Sequence, residues 1–139
     1  MILLDTNVLS ELMRKDPDVA VLSWATSFTG SELCTTSVTI AELLFGIAIL
    51  EEGRWKAGLT EAVHGLIEDL DARIYPFDLK AAEIYAAIVA ERQRAGRSMS
   101  YADAQIAAIA LSLEATLATR NTKDFEGCGL DLHDPFQIL

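Results

Sequence analysis

Short apolar runs alternate along this chain with longer stretches of helical periodicity, and that alternation limits the fold more than any other feature. Ile2-Leu3-Leu4 is too short for a helix and reads as a buried strand. Glu32 to Ser37 and Ala115 to Thr119 read the same way, as does Arg73 to Phe77 with Pro76 at its end, and a weaker strand follows Gly129. Between them lie helices. Val8 to Met13 makes one or two turns. Asp16-Pro17-Asp18 marks a helix start, with Asp16 as cap and Pro17 in the first turn, and an apolar stripe runs on to a stop near Gly30. Thr39 opens a helix through IAELLFGIAILEEG, and another runs from about Trp55 to Leu70. Asp78 caps the next, which Gly96 stops, and Ser100 starts the last. Strands separated by helices argue for an α/β fold: a three-layer α/β/α sandwich around a central parallel sheet.

Length and composition fit that reading. The 139 residues suit a single domain spanning 1–139, and with 51% apolar residues the chain should bury a substantial core. The longest stretch without a charge, Val19 to Ser31, is far short of the roughly 20 residues a membrane helix needs. No basic residue precedes the first apolar run, so it is not a signal peptide, and a cytoplasmic protein with no membrane partner is expected. Cys34 and Cys128 read as reduced thiols, and with His64 and His133 equally isolated a zinc site is not expected. A bound metal would have to be held by carboxylates, which selects a hard cation such as Mg²⁺ or Mn²⁺. The net charge of −10 argues against non-specific nucleic-acid binding and favours a basic partner.

Three carboxylates recur at one kind of position. Asp5 follows the first strand, Glu42 lies in the first turn after the second, and Asp103 lies in the first turn of the helix that Ser100 starts. In an open parallel sheet, ligands bind beyond the carboxyl ends of the strands, so these acids can meet although they are far apart in sequence. Helix capping is the competing explanation. Thr39-Ile40-Ala41-Glu42 fits a capping box, Ser100-Tyr101-Ala102-Asp103 nearly does, and Asp5 can cap the first helix. Magnitudes separate the two. A cap contributes about 1 kcal/mol, whereas two carboxylates about 4 Å apart repel by roughly 4 kcal/mol at an effective dielectric of 20. If the three converge, a bound cation is the natural remedy. Carboxylates holding one or two divalent cations are equipment for phosphodiester hydrolysis.

The words ILLDTNVLSEL, TTSVTIAELLFGI, SYADAQIAAIAL and LATRNTKDFEG, in this order and spacing, span nearly the whole chain. In them the chain resembles the PIN-domain ribonucleases, specifically the VapC toxins of toxin–antitoxin pairs and their FitB-like branch. The resemblance implies a metal-dependent endoribonuclease using Mg²⁺ or Mn²⁺, an RNA substrate, a cognate VapB-type antitoxin, and a homodimer or larger toxin–antitoxin assembly. Carried over by position, Asp5, Glu42 and Asp103 are the metal and catalytic acids. Thr6 and Asn7 complete the first motif, and Thr119 supplies a hydroxyl beside the site. The family's T-x-D pattern here reads Thr119-Arg120-Asn121, which leaves Asn121 in the site without a negative charge and bears on a second metal more than on the first. Asp124 either replaces that charge or, as is favoured here, caps a short helix or is solvated.

Phosphate contacts are expected from Arg92, Arg94 and Arg97 before Asp103, and from Arg120 and Lys123 beside the site; a solvated helix end is the competing reading of the first three. Trp24, Phe28, Phe45 and Trp55 read as core, although in the family a groove among these helices receives an antitoxin segment. The alanines on the two helices around Ala81 and Ala107 read as close helix packing. A catalytically weak or inactive PIN-like binding module is the alternative function. Receiver domains and aspartate-nucleophile phosphatases fit less well, because a phosphatase wants Asp where Asn7 stands.

Overall fold

In the computed structural model, which describes residues 1–137, five strands form one parallel sheet. They are β1 (Ile2–Leu4), β2 (Leu33–Thr36), β3 (Ile74–Tyr75), β4 (Thr116–Ala118) and β5 (Leu132–His133), in the order β3-β2-β1-β4-β5. The helices are α1 (Thr6–Leu12), α2 (Val19–Thr26), α3 (Ser37–Ala48), α4 (Arg54–Leu70), α5 (Leu79–Arg94) and α6 (Tyr101–Ser112).

Register explains the two helical layers. Leu3 pairs with both Cys34 and Leu117, so all three point to one face of the sheet. There they pack with Ala81, Ile88, Ile106, Ala107 and Ala110 of α5 and α6. One residue on, Leu4 and Ala118 are paired and point to the other face, against Val8, Leu9, Val21 and Ile40. Each sheet face is thus covered by helices, the α/β/α sandwich expected from the alternation of strands and helices. The alanine face of α6 is buried against α5, whereas Ala86 and Ala87 of α5 remain exposed.

Several local boundaries differ from expectation. The cap of α2 is Asp18, not Asp16: its carboxylate accepts from the Ala20 and Val21 N–H groups at 2.9 and 3.2 Å. Helix α3 begins before Thr39. Thr36, the last residue of β2, keeps extended backbone while its hydroxyl accepts the Thr39 N–H at 3.0 Å, so strand passes into helix with no loop. Only Ile74 and Tyr75 form β3, since Pro76 has no N–H to extend the ladder. Trp24 and Phe28 pack edge to face at 5.2 Å. Phe45 and Trp55, by contrast, are 66% and 71% exposed, so neither belongs to the core. Among the described residues no helix is long and apolar enough to cross a membrane.

Candidate active site

Strand order places a topological switch at β1. The chain runs outward through β2 to β3 on one side, then returns to lay β4 and β5 on the other. The crevice at such a switch, beyond the carboxyl ends of the strands, is where open parallel sheets bind ligands. Asp5 and Thr119, the residues directly after β1 and β4, stand on its two sides.

Asp5 is 4% exposed and fully partnered. Its Oδ1 accepts the Thr6 N–H at 2.8 Å, which caps α1. Its Oδ2 accepts the Thr119 hydroxyl at 2.7 Å and the Asn7 side-chain amide at 3.2 Å. The same amide reaches Thr119 Oγ1 at 3.3 Å, and Asn7 Oδ1 accepts the Arg120 N–H at 2.9 Å. Thr119 Oγ1 also accepts the Asn121 N–H at 3.1 Å. Capping therefore uses only one oxygen of Asp5, and the other ties the ends of two strands together. Burial pushes the Asp5 carboxyl above its ordinary range. The bonds from Thr119 and Thr6 oppose that push, the charge of Glu42 adds to it, and the Asn7 bond opposes it.

Glu42 has a different role from the one its local sequence suggests. Because Thr36 rather than Thr39 caps α3, Glu42 lies beyond the first turn and closes no capping box. Its Oε1 instead accepts the Thr6 hydroxyl at 2.6 Å. Thr6 thus touches both acids, Asp5 through its N–H and Glu42 through its Oγ1. Thr39 Oγ1 lies 3.4 Å from Thr6 Oγ1 and 3.3 Å from Thr36 Oγ1. Thr36 and Thr39 are fully buried; the sequence reading gave Thr39 only a helix start and a cap and gave Thr36 no role, although the hydroxyl-rich run TTSVT was the available signal.

Asp103 does sit in the first turn of α6, where its N–H is donated to the Ser100 hydroxyl at 3.1 Å. Its carboxylate also lies beside the Ser100 hydroxyl. Burial raises its pKa, the Ser100 bond opposes this, and the charges of Asp5, Asp124 and Glu42 raise it further. Asp103 therefore lies in the field of all three other acids. Asp124 does not cap the 3₁₀ turn Thr122–Phe125; Asn121 holds the cap position, and Asp124 is exposed. The Asn121 side chain makes no capping bond.

Among the described residues no three His, Cys, Asp or Glu side chains form a ready-made metal cage. The chemistry of the donor set nevertheless fits a hard divalent cation. All donors are oxygens, Asp5 is fixed by three neighbours, and the half-exposed Asp103 and exposed Glu42 carboxylates have room to turn. Mutual repulsion among these acids is what a cation would relieve.

The nominated phosphate contacts divide. Arg92 is 7% exposed and cannot reach RNA. Its guanidinium donates to the carbonyls of Arg97 at 2.8 Å, Asp124 at 3.1 Å and Glu126, tying α5 to the turn that carries Asp124. Sequence shows its charge but not the loop that folds back over it. Arg97 pairs with Glu126 at 3.5 Å, Arg94 with Glu91 at 3.4 Å, and Arg120 lies 4.3 Å over the Phe136 ring. Lys123 is exposed. A groove of about 920 Å³ runs from Thr6 and Glu42 between α1, α3 and α4 to Trp55.

The chain is similar to known proteins along nearly its whole length. The family model described as PIN domain matches residues 2–127. The chain is 38% identical over 138 residues to the VapC ribonuclease Y4jK of Sinorhizobium fredii, covering 99% of each. It is 39% identical over 137 residues to the toxin FitB of Neisseria gonorrhoeae, covering 98% of this chain and 99% of FitB. Among solved structures, a chain of FitAcB from Neisseria gonorrhoeae superposes with a TM-score of 0.93 at 36% identity, covering 99% of this chain and 100% of that one.

Proposed function

The chain belongs to the PIN-domain family, and from that premise we propose that it is a metal-dependent endoribonuclease, the toxin of a VapBC-type pair acting on cytoplasmic RNA. The observation that carries this reading is the bonded set Thr119–Asp5–Thr6–Glu42 at the sheet's switch point, with Asp103 in its field. Relatives over nearly the full length of the chain that are named as a VapC ribonuclease and a FitB toxin support it.

Asp5, Glu42 and Asp103 would hold Mg²⁺ or Mn²⁺, which when bound supplies an acidified water and neutralises charge on the phosphate. The chain's own groups do the rest. Thr119, Asn7 and the Thr6 N–H fix Asp5 in one orientation. Thr6 Oγ1 fixes Glu42 against it. Asp103, half-exposed in the first turn of α6, has room to turn its carboxylate toward the attacking water. It would take the proton of the attacking water as the new P–O bond forms, while the bridging P–O bond breaks and the departing ribose oxygen takes a proton from solvent. Asn121 orients ligands or water without adding charge.

The proposed partner is a VapB-type antitoxin, supported by the likeness to a chain of FitAcB, and the protein is expected to be a homodimer or part of a larger toxin–antitoxin assembly. The net charge of −10 suits a basic antitoxin segment covering the acids. Antitoxin-free protein incubated with total RNA and Mn²⁺ or Mg²⁺ should cut it internally. Cleavage that survives EDTA, or that Asp103→Asn leaves intact, contradicts this mechanism.

A further inference from the structure

Among the described residues, the Glu42 side chain has one hydrogen-bond partner, the Thr6 hydroxyl at 2.6 Å. Glu42 is exposed, its side chain is long, and its charge repels that of Asp5, so left to itself it would swing into solvent. The position of Glu42 therefore depends on what holds Thr6.

Behind Thr6 lies Thr39, with 3.4 Å between the two hydroxyl oxygens. Behind Thr39 lies Thr36, the last residue of β2, whose hydroxyl donates to Thr39 Oγ1 at 3.3 Å and accepts the Thr39 N–H at 3.0 Å. A line of three hydroxyls thus runs from the end of a strand, through α3, to the first residue of α1, and it ends on Glu42 Oε1. Its first two members are fully buried.

Thr39 leaves the usual local option unused. A threonine inside a helix commonly turns its hydroxyl onto a carbonyl three or four residues back. Thr26 does so with Leu22 and Ser23 at 3.0 and 3.1 Å, and Thr60 with Lys56 at 2.7 Å. The hydroxyl of Thr39 makes no bond to a carbonyl among the described residues; it meets the side chain of Thr36, three residues back, and that of Thr6. Packing alone does not call for a hydroxyl here. Valine has nearly the same shape and the same branching, and a buried hydroxyl costs free energy unless it is partnered.

We propose that Thr39 is a positioning residue: through Thr6 it holds Glu42 beside Asp5, where the two acids can share a divalent cation. The assignment rests on the metal-dependent ribonuclease reading and adds to it a buried residue that bonds neither acid.

The test uses antitoxin-free protein and Mn²⁺. Thr39→Val removes the hydroxyl at nearly constant shape, and Thr39→Ser keeps it. In calorimetric titration without RNA, Thr39→Val should bind Mn²⁺ about tenfold more weakly than wild type, and Thr39→Ser should recover most of the loss. At one subsaturating Mn²⁺ concentration, kcat on a short oligoribonucleotide should fall with the affinity while KM stays within about twofold. Because Thr39 acts through Thr6, the double variant Thr6→Val/Thr39→Val should bind Mn²⁺ no more weakly than Thr6→Val alone. If Thr39→Val does not fold, Thr39→Ala carries the same comparisons. Wild-type Mn²⁺ affinity in Thr39→Val, or additive losses in the double variant, overturns the proposal, and RNA cleavage by the wild type then still upholds the ribonuclease reading. Weakened Mn²⁺ binding that Thr39→Ser restores, in a protein that cuts no RNA, upholds the positioning role and removes the ribonuclease reading. A wild type that binds no Mn²⁺ overturns both.

Discussion

Thr119 donates its hydroxyl to Asp5 Oδ2 at 2.7 Å, joining two residues 114 positions apart at the carboxyl ends of adjacent parallel strands. Both are buried, and the bond lies at the point where the strand order turns back on itself. It fixes the orientation of a carboxylate that burial would otherwise drive toward its neutral form.

Removing that donor should be costly. Thr119→Val keeps the shape but leaves a buried carboxylate short of one partner, so it should destabilise the protein by about 1–3 kcal/mol at pH 7 in urea unfolding. It should also lower RNA cleavage, and Thr119→Ser should recover both. A Val variant with unchanged stability and rate would remove Thr119 from the site.

The acids should make the metal-free protein more stable as pH falls. Asp5 and Asp103 both have folded pKa values above the ordinary 3.8. Between the ordinary and the raised values, the folded state holds more protons than the unfolded state, so their contribution to stability is lost as pH rises through the folded values. At pH 7 in EDTA, Asp103→Asn should therefore melt higher than wild type, by a few degrees, and the gap should close at low pH. Adding Mn²⁺ should raise the wild-type Tm more than that of the variant. A lower Tm for Asp103→Asn in EDTA would contradict the mutual repulsion of these acids.

Arg92 should behave as a strut rather than a surface charge. Arg92→Leu strands the carbonyls of Arg97, Asp124 and Glu126, and should cost about 3 kcal/mol in denaturant unfolding. Arg94→Leu, at an exposed helix end, should change stability by less than about 0.5 kcal/mol. Equal effects would contradict the buried role of Arg92.

The Cys34 thiol should be inert in the folded protein. It is 1% exposed, its Sγ lies 3.4 Å from the Ile2 carbonyl, and burial pushes its pKa up to about 11. Iodoacetamide at pH 8 should therefore modify Cys34 only on the timescale of unfolding, as mass spectrometry of the modified peptide would show. Rapid native-state labelling would mean that β2 is not packed as described.

What the sequence made legible was what periodicity and local chemistry encode. Ile2-Leu3-Leu4, the Ser100 cap and the Asp78 cap appear where expected, and strands spaced by helices led to a parallel sheet. Asp5 and Asp103 were legible because each follows a clear local boundary. For Glu42 the local pattern left capping and a site role level, because a capping pattern at Thr39 looks the same whether or not the preceding strand already carries the cap. Long-range partners left no local trace. Nothing around Arg92 signals that the turn after Asn121 folds over it, and nothing around Trp55 distinguishes an exposed end of an apolar stripe from a buried one.

The measurement closest to the central claim is RNA cleavage by antitoxin-free protein as Mn²⁺ is titrated, for wild type and for Asp5→Asn. The account predicts a wild-type rate that rises with Mn²⁺, falls to background in EDTA, and drops at least about 100-fold in Asp5→Asn. Metal-independent cleavage, or a variant that cleaves as fast as wild type at the same Mn²⁺ concentration, would contradict it.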